Sequence, residues 1–187
     1  MIYGVRIRLR APERSDIPKF VQWINDPEVL VGLQQVLPFS SVDEENWFDS
    51  MISRPMAEHI LVIEYSLGDK WIPIGSMGFH NIDWRIRQAE IGIMIGEKLY
   101  WNKGFGSEAM ELMIAHGFKT LNFNRIALEV YETNPRAIHV YEKLGFVHEG
   151  RKRQGMYKDG KYIDVLMMSI LRSEWEGRDI RTGVEHE

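Results

Sequence analysis

A chain of 187 residues with 44% hydrophobic content can bury the core of one domain, and its 23 basic against 27 acidic residues, a formal net charge of −4, advertise neither a nucleic-acid nor an anionic-membrane partner. The absence of cysteine removes disulfides, thiolate metal sites and a cysteine nucleophile, and it fits a reducing cytosol. The six histidines show no metal-ligand spacing, the first residues lack the apolar core of a signal peptide and no apolar run approaches bilayer length, so the expectation is a cytoplasmic protein with no metal, nucleic acid or membrane to bind.

Val5-Arg6-Ile7-Arg8-Leu9-Arg10 alternates apolar and basic, as a half-exposed strand does. Asp16 is placed to cap a helix with Pro18 in its first turn, carrying Phe20, Val21, Trp23 and Ile24 and ending near Asn25-Asp26-Pro27. After a less regular segment, Ser40 or Ser41 caps a second helix whose inner face is Trp47, Phe48, Met51 and Ile52. Two strands follow, His59 to Tyr65 and Trp71 to Phe79, and Pro73 in the second calls for an edge or a bulge. A turn over Asn81-Ile82-Asp83-Trp84-Arg85 leads into an apolar strand, Ala89 to Ile95.

The Gly104–Leu121 segment reads as a helix with Met110, Met113, Ile114, Gly117 and Leu121 on one face, ended by Asn122 or Asn124. A strand, Arg125 to Tyr131, precedes a helix with Asn134 as cap, Pro135 in its first turn, Ile138, Tyr141 and Leu144 inward, and Gly145 as terminator. Asp159-Gly160 then joins a hairpin, Phe146 to Met156 with Tyr162 to Ile170. The expected fold is α+β (an α/β layer): a mixed, mostly antiparallel central sheet of about seven strands flanked by helices. One domain spans 1–175, with a polar tail over 176–187.

The stretch that organises the chain is Glu90 to Gly96 followed by Trp101-Asn102-Lys103-Gly104-Phe105-Gly106-Ser107. A glycine-rich turn feeding a helix offers unpaired N–H groups at the positive end of the helix dipole, which suits a phosphate or pyrophosphate. Gly104 and Gly106 let a ligand approach the main chain, and Asn102 tolerates a left-handed conformation. The same glycines also suit a plain tight turn between strand and helix.

With Asn134-Pro135-Arg136-Ala137-Ile138-His139-Val140-Tyr141-Glu142-Lys143-Leu144-Gly145-Phe146 as a second signature after one helix and one strand, the chain resembles the GCN5-related N-acetyltransferase (GNAT) family, in the branch of ribosomal-protein N-terminal and spermidine acetyltransferases. Trp101 stands where Gln or Arg is usual and Asn102 where many members have glycine, which leaves the main-chain cradle intact.

The resemblance implies direct acetyl transfer from acetyl-CoA to a primary amine in a ternary complex. It places the diphosphate on the N–H groups of Lys103 to Ser107, including Gly104, Phe105 and Gly106, beside Trp101 and Asn102, and pairs the pantetheine arm with Ile93, Met94 and Ile95. It adds Asn134, Arg136 and Ala137 as cofactor contacts and Tyr141 as general acid, also against the cofactor. A phenol, at ~10, suits a thiolate whose own acid sits at ~8.5. Glu90 is the matching base candidate, with His80 and Asp83 weaker. Trp23, Trp47, Glu28, Glu44 and Glu45 lie in the half that relatives use for the acceptor, and acidic with aromatic residues suit a polyamine or a peptide N-terminus. A homodimer is a further expectation from the resemblance. Two rivals stand beside it: a dinucleotide fold through Gly104-x-Gly106-x-x-Ala109 and Glu129, and an acyl-CoA-binding module without catalysis.

Overall fold

The computed structural model describes residues 1–33 and 37–182. They form two compact units, one of residues 1–80 with 91–115, the other of residues 81–90 with the chain from His116. Eight strands run in the order β1-β2-β3-β4-β5-β6-β8-β7. They are β1 (Ile2–Tyr3), β2 (Ile7–Arg10), β3 (Leu61–Leu67), β4 (Lys70–Asp83), β5 (Gln88–Ile95), β6 (Arg125–Tyr131), β7 (Val147–Lys158) and β8 (Lys161–Leu171). β5 and β6 are parallel, whereas β1/β2, β2/β3, β3/β4, β6/β8 and β7/β8 are antiparallel. The strand beyond the expected seven is the short β1, paired with Arg8 and Leu9. The helices are α1 (Ile17–Ile24), α2 (Pro27–Leu30), α3 (Ser41–Ile52), α4 (Phe105–Lys119), α5 (Pro135–Leu144) and α6 (Arg172–Thr182). Among the described residues no helix is long and apolar enough to cross a membrane.

In the first unit, the alternation of β2 resolves as read: Ile7 and Leu9 are fully buried, while Arg8 and Arg10 on the other face hold buried Glu64 at 2.6 and 2.8 Å. Asp16 does not cap α1 with its side chain. It accepts two 2.7 Å bonds from Arg10 and one from the Glu13 N–H, because the guanidinium is the stronger partner. The segment read as irregular contains α2, capped by Asp26. Ser40 caps α3 in a reciprocal box with Asp43. That fixes the helix so that Phe48 and Met51 pack with Ile17, and Ile52, expected inside, is 43% exposed. Pro73 sits beside a bulge, since β3–β4 pairing jumps from Ile63↔Gly75 to Glu64↔Pro73.

In the second unit, Asp159 (φ 49°) and Gly160 (φ 77°) make the two-residue turn between Lys158 and Lys161. Gly145, at φ 97°, ends α5 with its N–H on the Glu142 carbonyl. Residues 172–182, assigned by sequence partly to a tail, are helical. Arg172 donates to the Phe118 and Phe123 carbonyls and Trp175 packs on Phe118, with ring centres 5.4 Å apart. Residues 183–187 of that tail lie outside the described residues.

The Trp23 ring lies directly on the main chain at Gly96, where an added Cβ would come within 2.1 Å of it. Trp23 is 1% exposed and belongs to the core with Phe20 and Val62. Gly96→Ala is expected to cost about 1–3 kcal/mol through overpacking, read from urea unfolding; unchanged stability would show that the ring has room to move.

Candidate active site

The glycine-rich turn lies within the first unit. Asn102 (φ 59°) and Gly104 (φ 82°) are both left-handed, as a tight turn into a helix demands. The N–H groups of Phe105, Gly106 and Ser107 precede the bond from Glu108 N–H to the Gly104 carbonyl at 3.0 Å, so the start of α4 carries free donors. A Cβ on Gly106 would meet Ile95 at 3.7 Å, which sets the turn against the end of β5. Trp101 anchors that arrangement, because its Nε1 donates to the Ile95 carbonyl at 2.7 Å. The bond takes up one acceptor position of the Ile95 carbonyl. The Lys103 ammonium stands 5.6 Å over the Tyr100 ring.

The same unit holds a cavity of about 470 Å³, lined mainly by apolar side chains, among them Phe20, Trp47, Met51, Ile60, Met77, Phe79, Ile93 and Met94. Glu44 also lines it, although it is only 5% exposed. It has no counter-ion among the described residues, and burial alone pushes its carboxyl up to about 7. Arg54, Glu58 and His80 line the cavity as well. The other acceptor-side candidates separate. Trp47 lines the cavity, Trp23 is core, Glu28 is exposed and pairs with Lys98 at 2.7 Å, and Glu45 is exposed.

The second unit carries the remaining candidates. Glu90 is half-buried and accepts from the Asn81 amide at 3.1 Å. Asp83 closes its own turn, its Oδ1 accepting from the Arg85 and Ile86 N–H groups at 2.8 and 3.2 Å. Asn134 caps α5 by accepting from the Ala137 N–H at 3.2 Å, while Arg136 is exposed. Tyr141 is half-buried against Phe146, and desolvation pushes its hydroxyl up to about 12. The β5–β6 ladder is paired over Gln88↔Arg125, Ala89↔Ile126 and Glu90↔Ala127, while β5 runs on to Ile95 and β6 to Tyr131.

A family model described as an acetyltransferase (GNAT) domain matches residues 6–147. The chain belongs to the GNAT acetyltransferases. An uncharacterised N-acetyltransferase of Bacillus licheniformis is 34% identical over 180 residues, covering 94% of this chain and 98% of the relative. The spermidine N(1)-acetyltransferase of Vibrio cholerae is 31% identical over 173 residues, covering 92% and 97%. A crystal structure of spermidine N-acetyltransferase from Vibrio cholerae, in complex with CoA and spermine, superposes with a TM-score of 0.85 at 29% identity, covering 92% of this chain and 99% of that one. The acetyltransferase takes its acetyl group from acetyl-CoA, and the dinucleotide reading of Gly104-x-Gly106 gives way to the family match.

Tyr131 is among the residues that escaped the sequence reading. At the end of β6 and 6% exposed, it has a buried hydroxyl with no partner among the described residues, and burial followed by the Glu129 charge raises its pKa. Its main-chain carbonyl accepts the Asn134 N–H at 2.9 Å, which ties it to the start of α5. A strand-end aromatic signals packing in a sequence, and no local pattern tells whether its hydroxyl is bonded. Tyr131→Phe is expected to stabilise the ligand-free acetyltransferase by about 1 kcal/mol, since an unpaired buried donor is removed; a destabilised variant in urea unfolding would show that the hydroxyl is bonded.

Proposed function

We propose that this acetyltransferase modifies a polyamine, with Glu44 receiving one ammonium while another nitrogen reacts. The observation that carries the reading is the uncompensated carboxylate in an apolar cavity. A polyamine is a run of methylenes with positive charges at intervals. Its methylenes suit Phe20, Trp47, Met77 and Phe79, and a cation both neutralises Glu44 and gains from the aromatic faces. The similarity to a spermidine acetyltransferase crystallised with spermine supports the same acceptor class.

In this reading the diphosphate of acetyl-CoA rests on the N–H groups of Lys103 to Ser107, and the main chain of Ile93 and Met94 accompanies the pantetheine arm. Asn102 shapes the turn, and Asn134, Arg136 and Ala137 border the cofactor from the start of α5. The neutral amine attacks the thioester carbon, so a C–N bond forms and the C–S bond breaks. Glu90 takes the amine proton and Tyr141 supplies one to the sulfur. A phenol held at about 12 stays protonated throughout neutral pH. It therefore acts first as a hydrogen-bond donor to the sulfur, because full transfer to a thiolate of ~8.5 is uphill.

The deciding experiment is acetyl-CoA turnover with spermidine and spermine, set against peptides with free N-termini and an aminoglycoside. Polyamines should be acetylated, and Glu44→Gln should raise the polyamine KM by about tenfold or more while leaving the acetyl-CoA KM alone. Unchanged polyamine KM in Glu44→Gln, or turnover of peptides alone, would overturn the assignment.

Glu44 also makes stability pH-dependent. Its folded-state pKa of about 7 lies above the usual value of 4.5, so the native protein binds the extra proton between them. This contribution is complete below 4.5 and is lost as pH rises through 7. The ligand-free Glu44→Gln variant should therefore gain in Tm relative to wild type far more at pH 8 than at pH 5, by an amount equivalent to at most about 3 kcal/mol. Equal differences at the two pH values would contradict it.

Tyr141→Phe should lower kcat by about 100-fold with little change in either KM; full turnover would remove Tyr141 as the donor.

A further inference from the structure

Glu108 stands in the first turn of α4, the helix whose start receives the diphosphate in the reading above. A carboxylate there competes with a bound diphosphate for the positive helix end and repels it. Arg6, in the turn between β1 and β2, answers that charge. Its main-chain N–H donates to one Glu108 carboxylate oxygen at 2.8 Å and its Nε to the other, also at 2.8 Å. Its Nη1 donates to the Lys103 carbonyl at 2.9 Å, inside the glycine-rich turn itself. The guanidinium lies 4.6 Å over the Phe105 ring, and its Nη2 would be 3.3 Å from a Cβ on Gly104. One side chain thus bonds Lys103 and stacks on Phe105, on either side of Gly104, and holds the acid behind the turn.

Gly4 permits the arrangement, since a Cβ there would meet a Glu108 oxygen at 2.8 Å. An exposed ion pair contributes little to folding by itself, and Arg6 is 45% exposed. Its value lies in where it stands. The carboxylate is only 14% exposed and would otherwise keep its charge beside the incoming phosphates.

We infer that Arg6 is a positioning residue for the acetyl-CoA diphosphate: it neutralises Glu108 and holds the main chain of Lys103 to Phe105 in the receiving conformation. The inference rests on the turn being the diphosphate site and is independent of which amine is acetylated. Lys cannot replace Arg here, because a point charge cannot bond the carboxylate, reach the carbonyl and stack on the ring together.

The test compares wild type with Arg6→Gln, Arg6→Lys, Glu108→Gln and the double variant Arg6→Gln/Glu108→Gln. Two donors are used: acetyl-CoA, and acetyl-pantetheine, which lacks the diphosphate. Arg6→Gln should raise the acetyl-CoA KM about tenfold at low salt with kcat nearly unchanged, and less at high salt, while acetyl-pantetheine kinetics stay as in wild type. Arg6→Lys should recover little, and the double variant should recover a large part of the lost affinity. Calorimetric titration with CoA reads the same effect without any acceptor, so failure of the polyamine assignment leaves this test intact. Unchanged acetyl-CoA KM, equal losses with both donors, or a double variant no better than Arg6→Gln would each overturn the inference.

Discussion

A carboxyl group kept from water, with no counter-charge among the described residues, is the constraint on which the proposed acceptor side depends. Left ionised in an apolar cavity, Glu44 is costly; protonated, it is tolerable; paired with a cation, it is favourable. The fold places it there through ordinary local chemistry. Ser40 and Asp43 start α3 with a reciprocal cap, and from that start Glu44, Phe48 and Met51 follow one another along one side of the helix. The packing that buries Phe48 and Met51 draws Glu44 out of water with them. Hydrophobic burial thus sets the electrostatic state of the cavity, and the proposed polyamine answers it with a positive charge.

The proposed donor side follows a different logic, in which main-chain N–H groups are the diphosphate's principal partners. Left-handed Asn102 and Gly104 turn the chain into α4 so that its first N–H groups are free. Side chains brace that turn. Trp101 pins it to the end of β5, and Arg6 holds it from the β1–β2 turn while cancelling the acid that α4 carries in its first turn. The departure of Trp101 from the family pattern therefore replaces a polar side chain at the motif's first position with an anchor for the strand end.

Much of the fold was legible in the sequence because its signals are local. Asn134-Pro135 with Gly145, Asp159-Gly160, and the Ser40 cap each bring their own turn or cap chemistry, and each forms where expected. Both motifs that carry the family resemblance also stand on the predicted elements. What escaped depends on partners far away in the chain. Arg6 and Glu108 are 102 residues apart, and the α6 anchor Arg172 reaches back to Phe118 and Phe123. Asp16 read as a cap because a nearby helix start is visible in sequence and a guanidinium arriving from β2 is not. The acidic run Asp43-Glu44-Glu45 looked like a helix start, which it is, yet nothing in the run marks its middle member as buried. Tyr131 is the same kind of case, since only the folded surroundings decide whether a hydroxyl has a partner.

The central claim concerns the charge state of one side chain, and side-chain carbon NMR reads that directly. With the Glu44 carboxyl followed through a pH titration, the account predicts a midpoint near 7 in the ligand-free protein. Saturating spermidine should then move that midpoint down toward or below the usual carboxylate range, as a bound cation favours the ionised form. A midpoint at the ordinary value of about 4.5 without ligand, or one that spermidine leaves in place, would contradict it.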